Sequence, residues 1–133
     1  MTRVFADTFY FLALLSPNDG AHKTAAKFIS EYRGSVVTTA WVITEVANTM
    51  HSEHGRTKFI HFYDDMCLNP NVVILHPEPA LFKSGLELFR QRLDKDWSLA
   101  DCISFVVMAE RKISAALTGD RHFEQAGFKA LLK

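Results

Sequence analysis

Residues 98–123 read SLADCISFVVMAERKISAALTGDRHF, and they combine a long apolar helical pattern with a short apolar strand pattern. Residues 99–112 are almost entirely apolar until their last three positions. A helix that is apolar on every side belongs inside a protein. Residues 115–118 then predict a strand. A buried helix that leads into a strand indicates a sheet covered by helices.

The same alternation of short strand patterns and longer helical patterns extends over the whole chain. The predicted strands are residues 3–6, 35–38, 72–75 and 115–118, with 128–132 as a candidate fifth. The predicted helices are residues 9–14, 22–32, 40–54, 57–67, 80–93 and 99–112. This alternation is typical of parallel sheets. We predict an α/β fold: a single domain over residues 1–133, with a central parallel sheet of four or five strands flanked by helices.

The composition is that of a compact globular protein. Hydrophobic residues make up 48% of the 133 residues, and eleven residues are Phe, which suffices for a sizeable core. Fifteen basic residues balance fifteen acidic ones, so any nucleic-acid contact requires a local basic patch. The two cysteines lack metal-type spacing, and no apolar segment reaches the roughly 20 residues of a membrane span. We expect a soluble, cytoplasmic protein without a membrane partner.

Four acidic residues stand where an apolar segment ends or a helix begins: Asp7, Glu45, Asp101 and Asp120. Two of them, Asp7 and Asp120, lie just past predicted strands, and the other two lie early in predicted helices. Ligands of open α/β sheets bind at the carboxyl ends of the strands, where the four acids converge if each helix starts at that edge. Clustered carboxylates require a cation, and oxygen ligands favour Mg²⁺ or Mn²⁺. The pattern predicts a metal-dependent phosphodiesterase.

Each acid taken alone also has an ordinary structural interpretation. Asp7 is placed to cap the helix that follows it. Ser98 and Asp101 match the Ser-x-x-Asp capping box, in which one carboxylate oxygen caps while the other remains available to a metal. Glu45 fits a solvated helix surface, and Asp120 fits a turn. The set of four, rather than any single acid, therefore carries the prediction.

Four motifs resemble those of a known family: Val4-Phe5-Ala6-Asp7-Thr8, Thr44-Glu45-Val46, Trp97-Ser98-Leu99-Ala100-Asp101-Cys102 and Leu117-Thr118-Gly119-Asp120-Arg121-His122-Phe123. In this order, and over essentially the whole chain, they resemble the PIN-domain ribonucleases, in particular the small VapC-type toxins of bacterial toxin–antitoxin pairs. The resemblance implies that the four acids bind the metal and that the Thr118 hydroxyl supports the site. Phe9 departs from the small residue that commonly follows the first Asp-Thr in that family.

The resemblance implies a metal-dependent endoribonuclease that forms a homodimer and binds an antitoxin protein. One or two divalent ions held by the acids would activate a water and polarise the scissile phosphate, so no Ser or Cys nucleophile is required. We assign Asp7 and Asp101 to direct metal contact. Asp120 contacts the metal directly or through water, and Glu45 binds metal or orients the attacking water. Arg121 is the basic residue expected to face the phosphate, because its charge is permanent.

Two alternatives stay open: a catalytically silent PIN-like module that binds RNA or protein, and a PIN nuclease of RNA processing that is not a toxin. A receiver-type switch domain is a poor match, because that class requires paired acids after the first strand and a late Lys. A zinc site at His51 and His54 lacks a third ligand of suitable type nearby, so a solvated helix face is favoured there. His122 is a weaker candidate for a phosphate contact than Arg121.

Overall fold

The computed structural model describes residues 2–133, in which a single sheet of five strands forms the centre of the molecule. The strands are β1 (Arg3–Ala6), β2 (Ser35–Thr39), β3 (Val72–Leu75), β4 (Ala115–Leu117) and β5 (Lys129–Ala130). All neighbouring strands are parallel, and their order is β3-β2-β1-β4-β5. The predicted α/β fold is confirmed, and the candidate fifth strand is present.

Helices pack around this sheet, and within residues 2–133 there are seven of them. They are α1 (Thr8–Leu15), α2 (His22–Glu31), α3 (Ala40–Thr49), α4 (Glu53–Leu68), α5 (Pro79–Gln91), α6 (Leu99–Glu110) and α7 (Arg121–Gln125). None of these described helices combines the length and the apolar character that crossing a membrane would need.

The prediction of one helix over residues 40–54 is wrong in its extent. Helix α3 ends at Thr49, and a separate helix follows it. Ser52 adopts an extended conformation, and its hydroxyl oxygen accepts the Gly55 N–H at 3.1 Å. This is an N-cap, so a new helix begins at Glu53, four residues earlier than predicted. The spacing of apolar residues does not reveal a helix boundary that is set by one short polar side chain such as Ser52.

The order of the strands creates a crevice beside β1. The chain starts in the middle of the sheet, moves outward to β2 and β3, and returns to β4 on the other side of β1. Ala6 pairs with Leu117, and the Asp7 N–H donates to the Leu117 carbonyl at 3.4 Å. Ligands of open α/β sheets bind where the strand order reverses in this way. The residues that follow β1 and β4 therefore meet at the edge that is expected to bind a ligand.

Most of helix α6 is buried, as its largely apolar sequence predicts. Its buried residues are Cys102, Ile103, Ser104, Phe105, Val107 and Met108. Helix α5 approaches it closely at Gly85, where a Cβ atom would lie 2.3 Å from Cγ1 of Ile103. Phe105 packs edge-on against Phe123 of α7, with ring centroids 4.9 Å apart. Helices α6 and α7 are thereby fixed to one another, which also fixes the acids at their first turns.

Candidate metal centre

Asp7 follows β1 and is buried, with 6% of its surface exposed. It occupies the N-cap position of α1, yet its side chain makes no capping hydrogen bond. Burial raises the pKa of Asp7 from 3.8 to about 7, and the charges of Asp101 and Asp120 act in the same direction. A hydrogen bond from Thr118 opposes this rise in the pKa. At this edge of the sheet, the charged form of the Asp7 carboxylate is therefore destabilised by burial and by the neighbouring acids. Helix capping does not explain why an acid stands at this position.

Thr118 connects two of the acids through its hydroxyl group. The side chain is fully buried, and its Oγ1 donates to Oδ2 of Asp7 at 2.9 Å. The same oxygen accepts the backbone N–H of Asp120 at 3.0 Å. One hydroxyl thus orients the Asp7 carboxylate and fixes the start of the turn that carries Asp120.

Asp101 combines the capping role with a position in the acid cluster. Its backbone N–H donates to Ser98 Oγ at 3.0 Å, and its Oδ2 accepts the Ser98 N–H at 3.1 Å, which completes a capping box. The Asp101 side chain is 13% exposed, and Oδ2 lies 3.2 Å from Nδ1 of His122. Burial raises the pKa of Asp101, and the charge of Asp120 adds to the rise, whereas the Ser98 hydrogen bonds and His122 oppose it.

Asp120 is the N-cap of α7, and this cap turns the neighbouring His122 towards the acids. Oδ1 of Asp120 accepts the backbone N–H of His122 at 2.9 Å. The imidazole Nδ1 of His122 then lies 3.3 Å from the same Oδ1. The His122 side chain is 20% exposed and that of Asp120 is 34% exposed, so both reach solvent at the mouth of the cluster.

Glu45 approaches the same site from α3. Its Oε1 accepts a hydrogen bond from the Thr8 hydroxyl at 2.7 Å, which ties α3 to the first turn of α1. The side chain is partly buried, in contrast with a freely solvated glutamate. The structure brings all four predicted acids to the wall of one pocket, together with Thr8, Phe9, Asp96, Ser98 and His122.

Arg121, Asp96 and His122 are the positions where the sequence was least informative. Arg121 opens α7, is exposed, and is not among the described residues that line the acidic pocket. Asp96 and His122 do line that pocket. The signal that could have identified His122 is the N-cap at Asp120, because an Asp cap binds the N–H two residues later and orients the residue there. Asp96 follows no strand and starts no helix, so no pattern marked it.

The donor atoms of this pocket suit a divalent cation. Asp101, Asp120 and His122 each offer one ligand atom, and these three atoms lie within 4.8 Å of one another. The Asp7 carboxylate is close enough for its pKa to be raised by Asp101 and Asp120. Carboxylate oxygens are the ligands preferred by Mg²⁺ and Mn²⁺, and imidazole is a common metal ligand. The residues present therefore fit a bound divalent ion.

The alternative zinc site of the sequence analysis lies elsewhere. His51 and His54 are both exposed, near the start of α4. Cys67 is exposed, Cys102 is buried, and both are free thiols. Among the described residues, the group of three side chains that could together hold a metal ion is the one formed by Asp101, Asp120 and His122.

Comparison with known proteins adds a family to this geometry. A family model described as the PIN domain matches residues 4–129. Two relatives from Mycobacterium tuberculosis, of strains CDC 1551 / Oshkosh and ATCC 25618 / H37Rv, are each named 23S rRNA-specific endonuclease VapC20. Each is 26% identical to this chain over 125 residues, which cover 94% of this chain and 95% of the relative.

The similarity extends to three dimensions. A crystal structure described as Mycobacterium tuberculosis VapC20, a Sarcin-Ricin loop cleaving toxin, matches this fold with a TM-score of 0.85. The match has 25% sequence identity and covers 94% of this chain and 95% of the solved one. The likeness therefore extends over nearly the whole of both chains.

Proposed function

The chain belongs to the PIN-domain family, and on that premise we propose that it is a metal-dependent endoribonuclease, the toxin of a toxin–antitoxin pair. The observation that carries the proposal is the meeting of Asp7, Glu45, Asp101 and Asp120 in one pocket at the switch point of the sheet. A carboxylate cluster of this kind repels a phosphodiester unless a cation is present. Metal-dependent hydrolysis is the chemistry that uses both the carboxylate cluster and the cation that the cluster binds.

We assign the metal to Asp7, Asp101 and Asp120, with Glu45 beside them, and the ion to Mg²⁺ or Mn²⁺. A divalent ion bound there would lower the pKa of a water molecule and offset negative charge on the scissile phosphate. Thr118 holds the Asp7 carboxylate in place by donating to Oδ2, so this ligand is positioned before any ion binds. The Ser98 cap does the same for Asp101.

Glu45 is assigned to the attacking water. Its Oε1 is engaged by Thr8, so the carboxylate has a fixed direction, and its Oε2 is the oxygen proposed to accept a proton from that water. The water oxygen bonds to phosphorus as the bond from phosphorus to the leaving oxygen breaks. The reaction requires no covalent intermediate with a side chain.

The proposed substrate is RNA, and the proposed partners are an antitoxin and a second copy of the chain. The named relatives support the first two, because one is called a 23S rRNA-specific endonuclease and the solved structure a toxin. The apolar surface on α5 and just beyond it supports a homodimer, with Phe89 43% exposed and Leu93 90% exposed. Sedimentation at micromolar concentration would detect the dimer, and a monomer at that concentration would contradict it. A cytoplasmic location is proposed with the same function.

Cleavage of an RNA pool that contains 23S rRNA tests this function. We expect the purified chain to cleave it in Mg²⁺ or Mn²⁺ and not in EDTA. Asp101→Asn keeps a side-chain oxygen for the cap but loses a charged metal ligand, so we expect activity to fall by at least about 100-fold. Asp64→Asn, an exposed acid on α4, is the matched control and should cleave normally.

Two results would contradict the proposal. Cleavage that persists in EDTA would exclude the metal mechanism, and full activity of Asp101→Asn would exclude the assigned site. Absence of cleavage with either ion would favour the silent binding module instead.

A further inference from the structure

Phe9 is a hydrophobic side chain placed among charged groups. It lies in the first turn of α1, two residues after Asp7, and 36% of its surface is exposed. It lines the pocket that holds the four acids. The other side chains that line this pocket in the described chain are polar or charged. Single exposed hydrophobic residues are common on protein surfaces, but this ring lies within a pocket whose other lining side chains could contact a polar ligand.

The ring is held in position by the turn that carries Asp120. A Cβ atom built on Gly119 would lie 2.5 Å from Cζ of Phe9 and 2.9 and 3.0 Å from its two Cε atoms. The tip of the ring therefore rests on Gly119, between Thr118 and Asp120, and a side chain at position 119 would displace it. The ring spans from α1 to the end of β4 at the mouth of the acid cluster.

No aromatic side chain of the part of the chain that the structure describes stacks on this ring. Among residues 2–133, the aromatic pairs do not include Phe9, whereas the similarly exposed Phe82 stacks on Trp41 with ring centroids 6.5 Å apart. Phe9 thus keeps apolar ring surface accessible beside the acids, whereas one face of Phe82 is covered by Trp41.

The charges around Phe9 determine what it can bind. Five carboxylates line the pocket, from Asp7, Glu45, Asp96, Asp101 and Asp120, and in the described chain no Lys or Arg lines it. No Lys or Arg side chain of the described residues therefore pairs with a phosphate there, and a neutral contact would add to the binding that the metal provides. A nucleobase provides one, because every base has a flat face that stacks on an aromatic ring.

We propose that Phe9 is the stacking platform for one nucleobase of the RNA, next to the phosphodiester bond that is cleaved. The inference rests on the proposed function and extends it to substrate binding. Gly119 supports the edge of the ring, and the exposed part of the ring stacks on an unpaired base, so that the adjacent phosphate lies over the acids. This mode requires a base that is free to leave its helical stack, which favours single-stranded loops over duplex RNA.

The test is steady-state cleavage of a short RNA that carries the cut site, by wild type and by Phe9→Leu. Leucine keeps apolar bulk but cannot stack, so we expect KM to rise about tenfold with kcat changed less than twofold. Phe9→Tyr and Phe9→Trp should restore KM, which a purely structural role for Phe9 would not predict. Phe82→Leu is the control for loss of an exposed aromatic ring and should match wild type.

An abasic substrate series identifies the base. Replacing the nucleotides near the cut one at a time by abasic residues should raise KM for wild type at one position and leave Phe9→Leu unaffected there. A KM for Phe9→Leu within twofold of that of wild type would contradict the stacking role of Phe9. The proposed nuclease activity would be unaffected by that result. A raised KM that Tyr and Trp fail to restore would also contradict the stacking role. If wild type itself cleaves no RNA, the proposed function fails and the platform fails with it.

Discussion

Two aspartates of this chain, Asp7 and Asp94, lie in opposite electrostatic environments. Burial among other acids raises the pKa of Asp7 to about 7. Hydrogen bonds from Arg92 lower the pKa of Asp94 to about 2, and Lys95 approaches the same carboxylate at 3.9 Å. The loop that carries Asp94 neutralises its acid with its own side chains. The acidic pocket contains five carboxylates, and among the described residues no Lys or Arg lines it.

The difference teaches how to separate a structural acid from an acid that serves a ligand. The charge of an acid that pairs with a neighbouring cation is balanced without a ligand. In an exposed loop, such an ion pair contributes little to the free energy of unfolding. Acids buried together without a cation lower the stability of the folded chain, and such positions concentrate at functional sites. The stability conferred by the pocket should therefore respond to pH and to metal ions, and that conferred by the loop should not.

The largest expected effect is a loss of stability as Asp7 ionises. In the unfolded chain Asp7 loses its proton near pH 3.8, whereas the folded chain keeps it until about pH 7. The folded state therefore binds more protons between these values, and its free energy of unfolding falls as the pH rises from about 4 to 7. The shift corresponds to on the order of 4 kcal/mol, in the absence of metal.

Urea unfolding at pH 5 and pH 8, in EDTA, measures this loss. Asp7→Asn carries no ionisable proton and keeps an acceptor for Thr118, so its stability should depend less on pH than that of wild type. An equal pH dependence of the free energy of unfolding in the two proteins would contradict the contrast between Asp7 and Asp94. It would mean that the ionisation of Asp7 is not the cause of the loss of stability.

The next effect in size is stabilisation by Mg²⁺ or Mn²⁺. An ion that binds only the folded state at 100 times its dissociation constant adds about 2.7 kcal/mol to the free energy of unfolding. We expect thermal unfolding at pH 8 to shift upward with either ion in wild type and in Asp94→Asn. The shift should be lost in Asp101→Asn. A shift of the same size in Asp101→Asn would place the ion outside the pocket.

The sequence predicted the elements of the fold better than their arrangement. Apolar runs marked each strand and the buried helix α6, and the four motifs predicted the family that the comparisons confirm. The pairing of β1 with β4 was not readable, because it joins segments more than a hundred residues apart. The convergence of the acids was therefore conditional on a strand order that only the structure supplies.

Side-chain direction was the other quantity that the sequence could not provide. The Asp120 cap turns His122 towards the acids, whereas Arg121 is exposed, and the expectation that Arg121 faces the phosphate stays a prediction. The direction of His122 depends on a cap that forms only when α7 does. Asp101 was the opposite case, because its capping box was visible in the sequence and is present in the structure.

The smallest expected effect is that of Asp94→Asn. The substitution removes the charge that both nitrogens of the Arg92 fork contact at 3.0 Å, but water reaches every group of the pair. Arg92 also lies over the ring of Trp97, 5.0 Å from its centroid, and this contact does not need Asp94. We expect the urea midpoint at pH 8 and the rate of RNA cleavage to match wild type within error. A lowered midpoint would show that a solvated ion pair can hold this loop, and the contrast with Asp7 would then rest on burial alone rather than on the missing cation.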